Sequence, residues 1–236
     1  MFTNSNKKII GIIGAMKSEI ESVQGMVKNA KTVRISGTDY VYGEIYGVNV
    51  VVAMCGIGKV FAAMCAQTMI LTFKPDVVIN VGVAGSLSSR LGIGDLAIAD
   101  SVVQHDMDTT PVGDPLGLIS GINIINFPCS AEYVSIFETC AKELNANYEI
   151  GVIASGDCFV NGKDMKKRIT DNFNAISCEM EGGSIGHVCY MNDTKFCVVR
   201  AMSDCGDENS HNDYAESLAK ASDVAFKLLD GFLRKL

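Results

Sequence analysis

The chain has 236 residues, 48% of them apolar and 20% charged, with a net charge of −7. That composition can bury one large core and excludes an intrinsically disordered chain. The acidic balance argues against nucleic-acid binding, which needs clustered Lys and Arg against phosphate, and leaves small-molecule chemistry open.

From the amino terminus, Lys7-Lys8 and the apolar run Ile9 to Met16 faintly imitate a secretory signal. The run has eight residues, contains two glycines and stops at Lys17-Ser18-Glu19, so it reads as a buried first strand, Ile9–Ile13. Val41–Ile45 and Val50–Ala53 follow as strands of a hairpin turning at Gly47. Lys59–Phe73 is an Ala- and Met-rich helix that stops before Pro75, where helices tend to end. Then come strands Val77–Asn80 and Asp95–Val103, helix Ala131–Leu144, strands Glu149–Ile153 and Ala175–Cys178, helix Gly182–Tyr190 and strand Phe196–Ala201. Val and Ile dominate many of these strands, as burial on both faces requires. A last helix begins near Asn212, with Tyr214, Leu218, Ala221, Ala225, Leu228 and Phe232 on one face.

Strands alternating with helices predict an α/β fold with a largely parallel or mixed sheet. No repeat, low-complexity block or linker divides the chain, so residues 1–236 read as one domain. No run approaches the roughly 20 apolar residues that span a bilayer. Nine cysteines lie scattered without any C-x-x-C, so buried free thiols in a reducing cytoplasm are expected. His105-Asp106 with Asp108 has no evident third ligand, and neither a metal nor a cofactor is expected.

Glycines and acids cluster just after the strand runs. The clusters are Gly14-Ala15-Met16-Lys17-Ser18-Glu19, Cys55-Gly56-Ile57-Gly58-Lys59, Gly82-Val83-Ala84-Gly85, Ser155 to Gly162, Glu179-Met180-Glu181-Gly182-Gly183 and Ser203-Asp204-Cys205-Gly206-Asp207. Ligands of α/β sheets bind at the carboxyl ends of strands, so six such loops on one edge predict a pocket lined by backbone N–H groups and a few acids. Each loop alone could be an ordinary left-handed turn or helix cap. The common phosphate motifs fail: Gly56-x-Gly58 is followed by Phe61, Gly58-Lys59 lacks the earlier glycine, and Val60 replaces a P-loop Ser or Thr. No G-x-S-x-G elbow occurs. Acid chemistry remains. Glu19, Glu181 and Asp204 each follow a strand run, and carboxylates sharing a pocket raise one another's pKa, keeping one as acid while another acts as base. Singly, Glu19 and Glu181 could be helix-dipole acids and Asp204 a cap.

At these residues the sequence resembles the 5′-methylthioadenosine/S-adenosylhomocysteine nucleosidases of the nucleoside phosphorylase superfamily. The matching segments include Gly11 to Met16 with Glu19, Cys55 to Val60, Lys74 to Asn80 with Ala84-Gly85, and Gly92 to Asp95. His105-Asp106-x-Asp108, Ser155-Gly156-Asp157-x-Phe159, Glu179-Met180-Glu181 and Val199-Arg200-Ala201-x-Ser203-Asp204 continue the match in order. The resemblance implies a three-layer α/β/α fold around a mixed, partly closed sheet, a homodimer, and hydrolysis of the bond between adenine N9 and ribose C1′. It implies that Asp204 protonates adenine N7, with Ser203 orienting it. Glu19, helped by Arg200, would activate water. Glu181 would accept the ribose hydroxyls, with Met180, Met16 and Ile57 against the sugar. Phe159 would stack on the base and the Val160 backbone would read its edge. Glu179, Val83, Ala84, Gly85 and Tyr214 fall at further substrate-binding positions.

Two departures stand out. Val83 replaces the Ser of the family's Gly-Ser-Ala-Gly loop, and Val112, within Thr110-Pro111-Val112-Gly113, replaces an aromatic that reaches the neighbouring subunit's 5′ pocket. A phosphorylase would need a cationic cradle, yet none of the five arginines lies in the first loop or in Gly82–Gly85. A non-catalytic adenosine binder is the other alternative.

Overall fold

The computed structural model describes residues 7–236. Strand β1 (Ile9–Gly14) runs parallel to both β4 (Val48–Met54) and β5 (Val77–Ser86). Beyond β4 the sheet continues into β3 (Thr38–Ile45) and β2 (Lys28–Ile35), both antiparallel. The β3–β4 turn is at Tyr46-Gly47, where Gly47 takes φ +84°, a conformation open to glycine. On its other side β5 pairs with β10 (Lys195–Asp204) and with β9 (Ala175–Glu179). β10 pairs with β6 (Leu96–Gln104), β6 with β8 (Tyr148–Ser155), and β8 with β9. Strands β5, β10, β6, β8 and β9 therefore close on themselves, while β1, β4, β3 and β2 extend as an open wing. A short β7 (Phe127–Pro128) borders β6. The sheet is mixed and partly closed, as expected.

Alternation along the strands sorts their side chains into two layers. Ile10, Ile12, Val50 and Val52 pack towards α1 (Lys17–Met26), α3 (Ala131–Glu143) and α6 (Ser210–Leu233). Phe137 of α3 stacks on Phe232 of α6 with centroids 4.3 Å apart. Ile13, Val51, Ala53 and Val78 face the opposite side, against α2 (Lys59–Phe73) and α5 (Gly182–Met191). Gly11 on β1 admits α2 closely, because a Cβ there would lie 2.5 Å from Met69 Sδ. Among the described residues no helix is long and apolar enough to cross a membrane.

Three elements carry too little apolar pattern to be read from sequence. β2 is a charged edge strand with no buried residue. α4 (Lys163–Phe173) buries only Ile169 and Phe173. α1 buries Ile20 and Val23, and it turns Glu19 inward. β5 runs on to Ser86 because Asn80 and Gly82, which interrupt its apolar run, are both buried within the strand.

Candidate active site

All six clusters reach one cavity of about 330 Å³ at the carboxyl ends of the strands. Glu19 lies in the first turn of α1, and its side chain folds back onto the strand ends. Oε2 accepts the N–H groups of Ala15 (2.8 Å) and Met16 (2.9 Å), and Oε1 accepts that of Val83 (3.0 Å). Burial raises its pKa, while the Arg200 charge and the three N–H donors oppose the rise.

Asp204 ends β10. Successive strand residues ordinarily face opposite sides, yet Ser203 and Asp204 both line the cavity. A register shift between Met202 and Asp204 accounts for this, since a bulge re-aims the side chain. Ser203 Oγ donates to Asp204 Oδ2 at 3.0 Å, with the Ala84 carbonyl 3.3 Å away as a second acceptor. The Gly206 N–H donates to Oδ1 at 3.0 Å. Burial raises this carboxyl's pKa as well. A Cβ on Gly82 would touch Glu19, and one on Gly85 would touch Asp204. The two acids thus flank β5 three residues apart, roughly 10 Å of extended chain.

Glu181 caps the amino end of α5, and its Oε1 accepts the Gly58 N–H at 2.8 Å. Burial and the neighbouring Glu179 carboxylate push its pKa up to about 7 against the pull of Arg200.

Arg200 is fully buried and does not line the cavity. Its guanidinium donates to the Asn80 side chain, to the carbonyls of Asn80 (3.2 Å) and Val199 (3.0 Å), and to Glu179. Glu179 also accepts from Ser155 Oγ and from the N–H groups of Glu181 (3.0 Å) and Gly182 (2.8 Å). The sequence reading has Arg200 helping Glu19, and the structure shows no hydrogen bond between them among the described residues. Arg200 hydrogen-bonds other groups and acts on Glu19 through its charge alone.

The apolar wall holds Met16, Ile57, Val83, Ala84, Gly85, Phe159, Met180 and Tyr214. Phe159 meets Tyr214 edge-on at 5.7 Å, and Tyr214 Oη donates to Met16 Sδ at 3.1 Å. Val160 opens onto an adjoining recess beside Cys158 and Cys178. Val112 stands apart from this chain's cavity, 81% exposed in a short 3-10 turn, Thr110–Val112. Cys178, which lines the cavity, has no site role in the sequence reading, where Asn80 and Ser155 stand only within their motifs and not as the supports they form. Polar residues inside buried strands were the available signal for the latter two.

The arrangement brings three buried carboxyl groups, Glu19, Glu181 and Asp204, into one cavity, where such groups can donate or accept protons. Among the described residues, the cavity's charged lining consists of Glu19, Glu179, Glu181 and Asp204, with no Lys or Arg.

The sequence profile of the phosphorylase superfamily matches residues 9–234. A 5′-methylthioadenosine/S-adenosylhomocysteine nucleosidase from Neisseria meningitidis, in complex with methylthio-immucillin-A, superposes with a TM-score of 0.94 at 32% identity, covering 97% of this chain and 100% of that one. The corresponding nucleosidase of Helicobacter pylori gives 0.94 at 33% identity, over 98% and 100%. A futalosine hydrolase of Helicobacter pylori gives 0.92 at 34% identity, over 97% and 98%.

Proposed function

The chain belongs to the phosphorylase superfamily, and from that premise we propose that it hydrolyses the N-glycosidic bond of 5′-methylthioadenosine and S-adenosylhomocysteine, releasing adenine. Asp204, whose pKa burial raises, protonates adenine N7 and makes the base a neutral leaving group. Ser203 orients that carboxyl. Glu19, fixed by three N–H donors, takes the proton of the attacking water. Glu181 accepts the ribose hydroxyls and lends negative charge to the oxocarbenium-like sugar. Phe159 stacks on the purine, the Val160 backbone reads its edge, and Met16, Ile57 and Met180 pack against the sugar.

One observation supports water over phosphate as acceptor: among the described residues, the charged groups of the cavity lining are carboxylates without a cation. An entering phosphate dianion would meet like charge and find no guanidinium or ammonium fork. The other four arginines are engaged at the surface, with Asp39, Glu149, Asp108 and Asp230.

Similarity to a futalosine hydrolase makes futalosine the second candidate substrate. We also assign this chain a homodimer. Val60, Phe61, Met64 and Leu71 form an exposed apolar stripe along α2, next to exposed Tyr190 and Met191 of α5. A second copy covers that stripe and carries Val112 towards the neighbouring cavity.

The test is adenine release from 5′-methylthioadenosine in phosphate-free buffer and again with phosphate, beside futalosine as competitor substrate. Phosphate-independent release of free 5-methylthioribose is expected. Release only with phosphate, as a ribose 1-phosphate, would make the protein a phosphorylase. Binding without release would make it a non-catalytic binder.

A further inference from the structure

The segment His105-Asp106-x-Asp108 plays no part in the chemistry above, yet Asp106 stands where three loops meet. Its Oδ1 accepts a hydrogen bond from Lys59 Nζ at 2.7 Å, and its Oδ2 accepts the Asp157 N–H at 2.9 Å. Asp157 Oδ1 in turn accepts the Lys59 N–H at 2.8 Å. One peptide earlier, the Gly58 N–H reaches Glu181 Oε1 at 2.8 Å.

Consecutive N–H groups at the start of α2 are thus divided between two tasks. Gly58 holds the carboxylate that faces the cavity, and Lys59 holds the loop that carries Phe159 and Val160. Position 58 favours glycine: it takes φ +99°, and a Cβ there would lie 3.1 Å from Asp157 Oδ1. The Lys59 and Asp106 side chains are 19% and 28% exposed, so solvent screens this pair less than an open surface bridge. Burial alone would raise the Asp106 pKa, but Lys59 and the Asp157 N–H hold it below the ordinary carboxylate value, which keeps it charged.

We infer that Asp106 is a positioning residue: through Lys59 and Asp157 it sets both the Gly58–Glu181 contact and the Phe159-Val160 loop, so one carboxylate outside the cavity tunes ribose and purine recognition together. The inference rests on the adenine-nucleoside reading above.

The test compares kcat/KM for 5′-methylthioadenosine and its 2′-deoxy counterpart in wild type, Asp106→Asn and Lys59→Met. Each variant is expected to lose about tenfold or more on the ribonucleoside, the scale of one hydrogen bond to a charged group. The 2′-deoxy substrate, which lacks a hydroxyl for Glu181, loses less, so the preference for ribose narrows. Lys59→Arg keeps the charge and is expected to restore most of that preference. Asparagine fills the volume of Asp106, so that variant decides the matter if Lys59→Met does not fold. Equal losses on both substrates, or none, would overturn the inference and leave the functional reading standing. Wild-type protein that releases no adenine would overturn both.

Discussion

Gly82 lies flat against the Glu19 carboxylate: a Cβ at position 82 would sit 2.5 Å from Oε1 and 3.0 Å from the carboxyl carbon. The glycine is required by space, since a methyl there meets a side chain that three N–H donors already fix.

Gly82→Ala is therefore expected to push Glu19 off its donors. A displacement of about 1 Å at a reacting group costs on the order of 10²-fold in rate. Steady-state kinetics should show kcat falling by that scale, with overpacking costing about 1–3 kcal/mol in denaturant unfolding. A near-normal kcat would mean that Glu19 does not act on water from this position.

Asp204→Asn keeps the shape of the acid and removes its transferable proton. Turnover should fall by about 10²–10⁴-fold while substrate affinity is largely retained. Kinetics alongside calorimetric binding of substrate would separate the two. Retained kcat would sink the N7-protonation role.

Arg200→Met leaves Glu179 as an unpaired charge in the interior. Breaking one side of a buried pair costs about 3–5 kcal/mol. Chemical denaturation should show that loss, and adding Glu179→Gln should recover part of it, because the two residues are coupled. Simple additivity of the two changes would argue against the pair.

Glu181 supplies a pH dependence of stability. Its pKa rises from 4.5 to about 7 on folding, so the folded chain holds this proton more tightly than the unfolded chain. The stability it contributes is fully present below about pH 4.5 and is lost as pH rises through about 7. Glu19 and Asp204 are raised in the same direction. Thermal melts of the ligand-free protein should show Glu181→Gln gaining on wild type from acid to mildly alkaline buffer. A difference that stays constant with pH would refute the raised pKa. Glutamine can still accept the Gly58 N–H, so the fold is expected to persist.

Much of this architecture is legible in the chain itself. A strand buried on both faces is largely apolar, which is why β1, β4, β5 and β10 announce themselves. Glycines and carboxylates cluster at the carboxyl ends of the strands, so Glu19, Glu181 and Asp204 stand out beside Gly82, Gly85 and Gly182. α1, α4 and β2 stayed hidden because their few buried residues leave almost no period to read.

The sequence by itself determined the α/β class, the six loops and the acids they carry, because those follow from local rules of burial and backbone shape. Only the tertiary structure decided what each charge bonds to. Parallel pairing places Arg200 opposite Gly82 and Val198 opposite Asn80, and that register delivers the guanidinium to the Asn80 side chain and carbonyl. A bulge before Asp204 aims two adjacent residues into one cavity, and Lys59, Asp106 and Asp157 meet across three loops. Such contacts join groups far apart in the chain, where no local pattern records which donor will meet which acceptor.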